Sequence, residues 1–181
     1  MKVAVYFATG YEEVEALSVV DVLRRGNIEV IMVGVTGETV TGSHGISINM
    51  DKTIDKVDHS TIDMMVLPGG LPGADNLMAN TTLTDNLKKF KEEGKWLAAI
   101  CAAPSILGRL GLLKGEKAIC YPGFEDKLLE AEVVNAKAVL SNKIITGMGP
   151  GAALDFALKI VEVIKGKEVV DTLKHQMVMD R

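Results

Sequence analysis

The segment most informative about the fold is Trp96-Leu-Ala-Ala-Ile-Cys101-Ala-Ala-Pro104. Its first five residues form an apolar run typical of a buried strand. Proline is well tolerated in the first turn of a helix, where its missing N–H costs no hydrogen bond, so Pro104 predicts a helix start. The stretch therefore predicts a strand that passes directly into a helix, with Cys101 at the bend. Ala99 and Ala103 are small enough for such a sharp turn.

Apolar runs and helical patterns alternate along the rest of the chain. The predicted strands are residues 3–8, 28–33, 64–67, 97–100 and 143–146. The predicted helices are residues 12–25, 82–93, 104–110 and 151–165, with C-terminal caps at Gly26, Gly94, Gly111 and Gly166. This alternation is typical of an α/β fold with a mostly parallel central sheet and helices on both faces. Residues 42–51 alternate apolar and polar side chains and predict an exposed hairpin.

Length and composition bound the class of protein. A chain of 181 residues, 48% hydrophobic and without repeats or linkers, predicts one domain over residues 1–181. A net charge of −4 and 4% aromatic residues argue against a nucleic-acid partner and favour a small substrate. No apolar run reaches the length of a signal core or a membrane span, so we expect a cytoplasmic protein without a membrane partner.

The two cysteines are assigned different roles. They are too few for a disulfide framework or a four-cysteine zinc site. Cys101 lies at a predicted helix start, where the backbone dipole lowers a thiol pKa and favours a nucleophilic thiolate. Free cysteines more often simply pack in the core, and that reading is given to Cys120, which no turn or helix start precedes.

Glu15 is the candidate acid. The apolar arc of the first predicted helix centres on Ala16, Val19, Val20 and Leu23, and Glu15 lies at its edge. Burial there would raise its pKa and leave a carboxyl that donates a hydrogen bond to a thiolate. The alternative is a solvated glutamate of the first turn, which fits Glu12 and Glu13 better.

Leu67-Pro-Gly-Gly70 follows a predicted strand. Glycine accepts positive φ angles, so the N–H of Gly70 is a candidate oxyanion donor. The alternative is that this Gly-Gly pair only forms a turn.

Four segments together resemble the ThiJ/PfpI superfamily, in particular its Parkinsonism-associated deglycase branch: Gly10-Tyr-Glu-Glu-Val-Glu15, Leu67-Pro-Gly-Gly70, Ala99-Ile-Cys-Ala-Ala-Pro104 and Gly149-Pro-Gly151. The resemblance implies a flavodoxin-like three-layer sandwich and a homodimer. It also implies that Cys101 is the nucleophile, that Glu15 is protonated, and that the backbones of Gly70 and Ala102 supply the oxyanion donors.

The chain departs from the family pattern near the cysteine. Tyr121 stands where many members have a histidine, and a tyrosine with a pKa of about 10 is a poor base at neutral pH. Ala102 stands where the protease-like branch has a histidine, which disfavours peptidase activity. His44 in the predicted hairpin and Arg25 from a partner subunit are further candidates for the site.

The residues and the resemblance predict a cysteine-dependent enzyme of the glyoxalase or deglycase type. The Cys101 thiolate would add to a small aldehyde such as methylglyoxal, or to its adducts on a glycated protein, and lactate would be the product of methylglyoxal. No cofactor and no metal is expected. The alternative is a non-enzymatic redox sensor or chaperone in which Cys101 is oxidised to sulfinic acid.

Overall fold

The computed structural model describes residues 1–179; Asp180 and Arg181, the last two residues of the predicted domain, lie outside that range. The strands are β1 (Lys2–Phe7), β2 (Glu29–Gly34), β3 (Thr39–Thr41), β4 (Ser47–Asn49), β5 (Lys52–Thr53), β6 (Met64–Leu67), β7 (Trp96–Ile100), β8 (Lys117–Ala118), β9 (Glu132–Val133), β10 (Ala138–Ser141) and β11 (Ile144–Gly147). The helices are α1 (Glu13–Arg25), α2 (Gly73–Ala79), α3 (Thr81–Glu92), α4 (Pro104–Arg109), α5 (Ala153–Lys165) and α6 (Lys167–Gln176).

The central sheet has seven strands in the order β10-β11-β7-β6-β1-β2-β5. Its pairings are parallel except at the β10 edge, where β10 runs antiparallel to β11. The predicted mostly parallel, flavodoxin-like sheet is confirmed. The predicted hairpin is formed by β3 and β4, and its first strand begins three residues earlier than expected.

The connections place helices on both faces of the sheet. The chain passes from β1 through α1 to β2 in one direction, and from β6 through α2 and α3 to β7 in the other. Right-handed crossovers in opposite directions put their helices on opposite faces. On the first face α1 packs against α5, and α5 packs against α6. The predicted apolar arc of α1 is buried, as expected.

The neighbouring strands β1 and β6 form a topological switch point, because the chain leaves them in opposite directions. Ligands of such sheets bind beside the carboxyl ends of the strands at this point. The first turn of α1, the loop after β6 and the end of β7 all lie at this edge of the sheet. The fold therefore brings the three candidate segments of the sequence together.

Several elements differ from the prediction. The sequence did not predict α2, α6 or the edge strand β10. The strand β10 is only half-buried and lacks the apolar run of the central strands. Three of the four predicted caps, at Gly94, Gly111 and Gly166, have positive φ. Gly26 does cap α1, but with a φ of −75°, and the next residue, Asn27, takes the left-handed conformation instead. Within residues 1–179, every helix is too short or too polar to cross a membrane.

Gly108 offers a test of the packing behind the bend at Cys101. A Cβ atom at this position in α4 would overlap the carbonyl oxygen of Lys127 and lie 2.8 Å from the Cα of Leu128. We expect Gly108→Ala to lower the free energy of unfolding by about 1–3 kcal/mol in a urea titration. In the control Gly151→Ala the added Cβ meets no atom within 4 Å. Equal stabilities for the two variants would contradict the packing of α4 on residues 127–129.

Candidate active site

Cys101 lies at a strained bend between β7 and α4. Its φ of +64° is uncommon for a residue other than glycine. Hydrogen bonds fix its backbone on both sides: its N–H donates to the carbonyl of Gly147 at 3.0 Å, and its carbonyl accepts from the N–H of Tyr121 at 2.8 Å. The predicted sharp turn is present, and strain of this kind is typical of functional sites. Cys101 is 8% exposed.

Glu15 lies in the first turn of α1 and is fully buried. Its backbone N–H donates to the carboxylate of the helix cap, Glu12, at 2.7 Å. Its Oε2 accepts the N–H of Gly69 at 2.8 Å. Among residues 1–179, its Oε1 has no hydrogen-bond partner, while a hydrogen bond between this side chain and Cys101 lowers the pKa of the carboxyl. The acid and the nucleophile are therefore in direct contact.

The Gly-Gly pair after β6 has two separate roles. At Gly69, a Cβ atom would lie 2.6 Å from the Cβ of Cys101 and 2.8 Å from Oε2 of Glu15, so only glycine leaves room for both side chains. Gly70 has a φ of +88°, and its N–H donates to the Cys101 sulfur, as does the N–H of Ala102. The sequence indicates a positive φ for both glycines, but only Gly70 has one, and the close approach at Gly69 was not predicted.

The two acids of the site are strongly coupled. Burial raises the pKa of Glu15 to about 7, and the charge of Glu12 adds to this effect. Burial, the charge of Glu15 and the hydrogen bond to Glu15 raise the pKa of Cys101 to about 12, against the lowering effect of the Gly70 and Ala102 amides. The predicted lowering of the Cys101 pKa is therefore wrong. Burial of the sulfur and the neighbouring Glu15 carboxylate outweigh the amides at the helix start.

Glu12 and Glu13 are not the solvated residues that the sequence favoured. Both are buried, because the turn between β3 and β4 covers the start of α1. The carboxylate of Glu13 accepts the backbone N–H of His44 at 2.7 Å and contacts the ring Nδ1 of His44 at 2.8 Å. The ligand atoms of these three residues lie within 4.8 Å of one another, but both oxygens of Glu13 are already engaged by the hairpin.

His44 and Arg25 occupy positions away from the sulfur in this chain. The exposed ring of His44 pairs with Glu13, which raises the pKa of the imidazole. Arg25 forms an ion pair with Asp21 at 2.7 Å. Arg25 lies ten residues after Glu15 in α1, which corresponds to about 15 Å along the helix axis at 1.5 Å per residue. A role for Arg25 across a subunit interface stays a prediction.

Tyr121 and Cys120 follow each other on the segment next to the bend. Tyr121 holds the carbonyl of Cys101 through its backbone, while its ring is half-exposed and faces Gly149. Cys120 is buried, and burial raises the pKa of its thiol to about 11. This burial agrees with the packing role that the sequence predicts for Cys120.

Comparisons with known proteins identify the family of this chain. A family model described as the DJ-1/PfpI family matches residues 1–163. Protein DJ-1 homolog B of Arabidopsis thaliana is 38% identical over 181 residues, a match that covers 98% of this chain. The match covers 41% of the relative, so the chain spans about two fifths of that protein. A glutathione-independent glyoxalase of Caenorhabditis elegans is 35% identical, with 90% of this chain and 87% of the relative covered.

Two further likenesses cover nearly complete chains. A deglycase of Pyrococcus horikoshii is 32% identical, with 91% of this chain and 100% of the relative covered. The solved structure of oxidized Toxoplasma gondii DJ-1 superposes with a TM-score of 0.94 at 41% identity, covering 98% of this chain and 97% of that one. The match over residues 1–163 and these likenesses show that the chain belongs to the DJ-1/PfpI family.

Proposed function

We propose that this chain is a cysteine-dependent glyoxalase or deglycase that needs no cofactor. Relatives named glyoxalase and deglycase support an enzyme of this general kind. One observation carries the proposal for this chain: the buried thiol of Cys101 contacts the carboxyl of Glu15 and accepts two backbone N–H groups. The substrates are methylglyoxal and its early adducts on proteins.

The reactive form of the pair has one negative charge, on sulfur, and one proton, on Glu15. The pair loses its first proton no higher than about pH 7, the raised pKa of Glu15. A charge on sulfur receives two amide donors and the proton of Glu15, whereas a charge on the carboxyl receives the N–H of Gly69 and the Cys101 thiol and lies closer to the charge of Glu12. These contacts favour the thiolate beside a neutral acid.

The first step forms a bond between the Cys101 sulfur and the aldehyde carbon of methylglyoxal. The electron pair of the C=O bond moves to oxygen, near the amides of Gly70 and Ala102, and Glu15 protonates that oxygen to give a hemithioacetal. In a protein adduct, the carbon already bears the amine or thiol of the glycated side chain, and this group leaves with a proton.

The remaining steps convert the hemithioacetal to lactate. The Glu15 carboxylate takes the proton from the former aldehyde carbon, and the same proton returns to the neighbouring keto carbon. The hydroxyl proton passes to the keto oxygen as the hydroxyl becomes the thioester carbonyl, which gives a thioester of lactate. Water then cleaves the thioester and restores the thiol. The overall reaction adds one water molecule to methylglyoxal without an external oxidant. Glu15 performs these proton transfers, so Tyr121 is not required as a base.

Replacing the sulfur tests its role as nucleophile. We expect Cys101→Ser to lower the rate of lactate formation from methylglyoxal by at least about 10³-fold, because a serine hydroxyl beside Glu15 ionises far less readily than a thiol. Lactate is measured enzymatically under single-turnover and steady-state conditions. The matched control Cys120→Ala removes the other thiol and should retain activity. Equal lactate from wild type and Cys101→Ser would exclude catalysis through this thiol.

The pH profile tests the role of Glu15. We expect kcat/KM to rise about tenfold per pH unit on the acid side and to level off no higher than about pH 7, because the pair has lost its first proton by the raised pKa of Glu15. Glu15→Gln keeps the shape of the side chain but carries no proton to transfer, so kcat should fall about 10²–10⁴-fold. A Glu15→Gln variant with the wild-type rate and profile would show that the carboxyl is not used.

A second candidate function is redox sensing through Cys101, and it is favoured by the oxidized state of the solved relative. Two oxygen atoms on the sulfur would accept hydrogen bonds from Gly70 and Ala102 and from protonated Glu15. Peroxide treatment followed by mass spectrometry tests it. Sulfinic acid formed at Cys101 at low peroxide, in a protein that makes no lactate, would favour the sensor over the enzyme.

A further inference from the structure

A cavity of about 400 Å³ lies beside the bend at Cys101. Its lining is mostly apolar and consists of two segments, residues 121–122 and 148–152, together with Lys137. Lys137 is the one cation among the lining residues, and its charge is paired with Asp155 at 3.2 Å. An apolar cavity with its charge neutralised favours an apolar ligand group over an ionic one.

Both lining segments are attached to the backbone of Cys101. The N–H of Tyr121 donates to the carbonyl of Cys101, and the N–H of Cys101 donates to the carbonyl of Gly147, one residue before the second segment. The cavity therefore adjoins the reactive residue at the carboxyl ends of β7 and β11.

The ring of Tyr121 forms one wall of the cavity. It lies against Gly149, where a Cβ atom would come within 3.1 Å of the ring, so the glycine lets the ring pack flat on the turn. An aromatic ring held in this way offers its other face to a ligand, and offset or edge-to-face contacts between rings add to the energy of apolar burial.

We propose that this cavity binds the apolar substituent of an α-oxoaldehyde, and that the chain prefers aryl α-oxoaldehydes such as phenylglyoxal to methylglyoxal. This inference rests on the proposed function and names its substrate class. The volume lies in the range of roughly 300–1,000 Å³ that is typical of sites for larger organic ligands, and the single methyl group of methylglyoxal leaves most of it empty. The reaction is the same: phenylglyoxal and one water molecule give mandelate.

The kinetic test compares the two substrates in variants of the cavity wall. The ratio of kcat/KM for phenylglyoxal to that for methylglyoxal is measured in wild type, Tyr121→Ala and Tyr121→Phe. Intrinsic differences in aldehyde reactivity cancel when these ratios are compared between proteins. We expect Tyr121→Ala to lower the ratio about tenfold because it removes the aromatic contact with the phenyl group. Tyr121→Phe keeps the ring and should keep the ratio.

The control variant is Leu129→Ala, which truncates a half-exposed apolar side chain outside the cavity lining. It should leave the ratio at the wild-type value. A ratio that is unchanged in Tyr121→Ala, or lowered equally in Leu129→Ala, would overturn the assignment of the cavity.

A binding experiment separates failure of this inference from failure of the proposed function. Mandelate and lactate are titrated into the Cys101→Ser protein while amide NMR signals are followed. We expect saturable shifts with mandelate at Gly149 and Gly151, weaker shifts with lactate, and loss of the mandelate shifts when Tyr121→Ala is added. If neither aldehyde is converted, the proposed function fails, and these shifts alone decide whether the cavity selects an aryl group. Equal responses to the two acids would overturn the inference.

Discussion

The contact between the carboxyl of Glu15 and the thiol of Cys101 is the interaction on which the site depends. It places two acidic groups in a buried space that accommodates one negative charge far more readily than two. The pair is possible because Gly69 has no side chain between the two groups. The charge is held by amides of Gly70 and Ala102 that the backbone has already oriented. Reactivity then follows from how one proton is shared.

The fold supplies this contact through the topology of its sheet. β1 and β6 diverge at a switch point, so the start of α1 and the Gly-Gly turn meet there, and β7 brings the bend beside them. The β3–β4 hairpin then covers the start of α1 by binding Glu13 through His44. Burial of Glu15 is the main reason for its raised pKa.

Local patterns in the sequence were sufficient for part of this structure. The apolar run ending at Cys101 and the proline after it specify a strand, a bend and a helix, and the 3.6-residue period of α1 placed Glu15 at a buried edge. Non-local contacts explain what was missed. Glu12 and Glu13 resemble ordinary solvated glutamates until the hairpin covers them. The direction of the Cys101 pKa shift depends on burial and on Glu15, 86 positions earlier in the chain. A local sequence pattern cannot show that these two residues come into contact.

The most direct test of the account is to locate the shared proton. Thiolate absorbance of the wild type, with that of Cys101→Ser subtracted, is titrated while the side-chain carboxyl of Glu15 is followed by ¹³C NMR. We expect thiolate to form below about pH 7, the pKa at which the Glu15 carboxyl would otherwise ionise, while the Glu15 signal stays in its protonated position. A carboxyl that ionises at about 7 with no thiolate until about 12 would contradict it, because the sulfur would then be an un-ionised thiol at neutral pH.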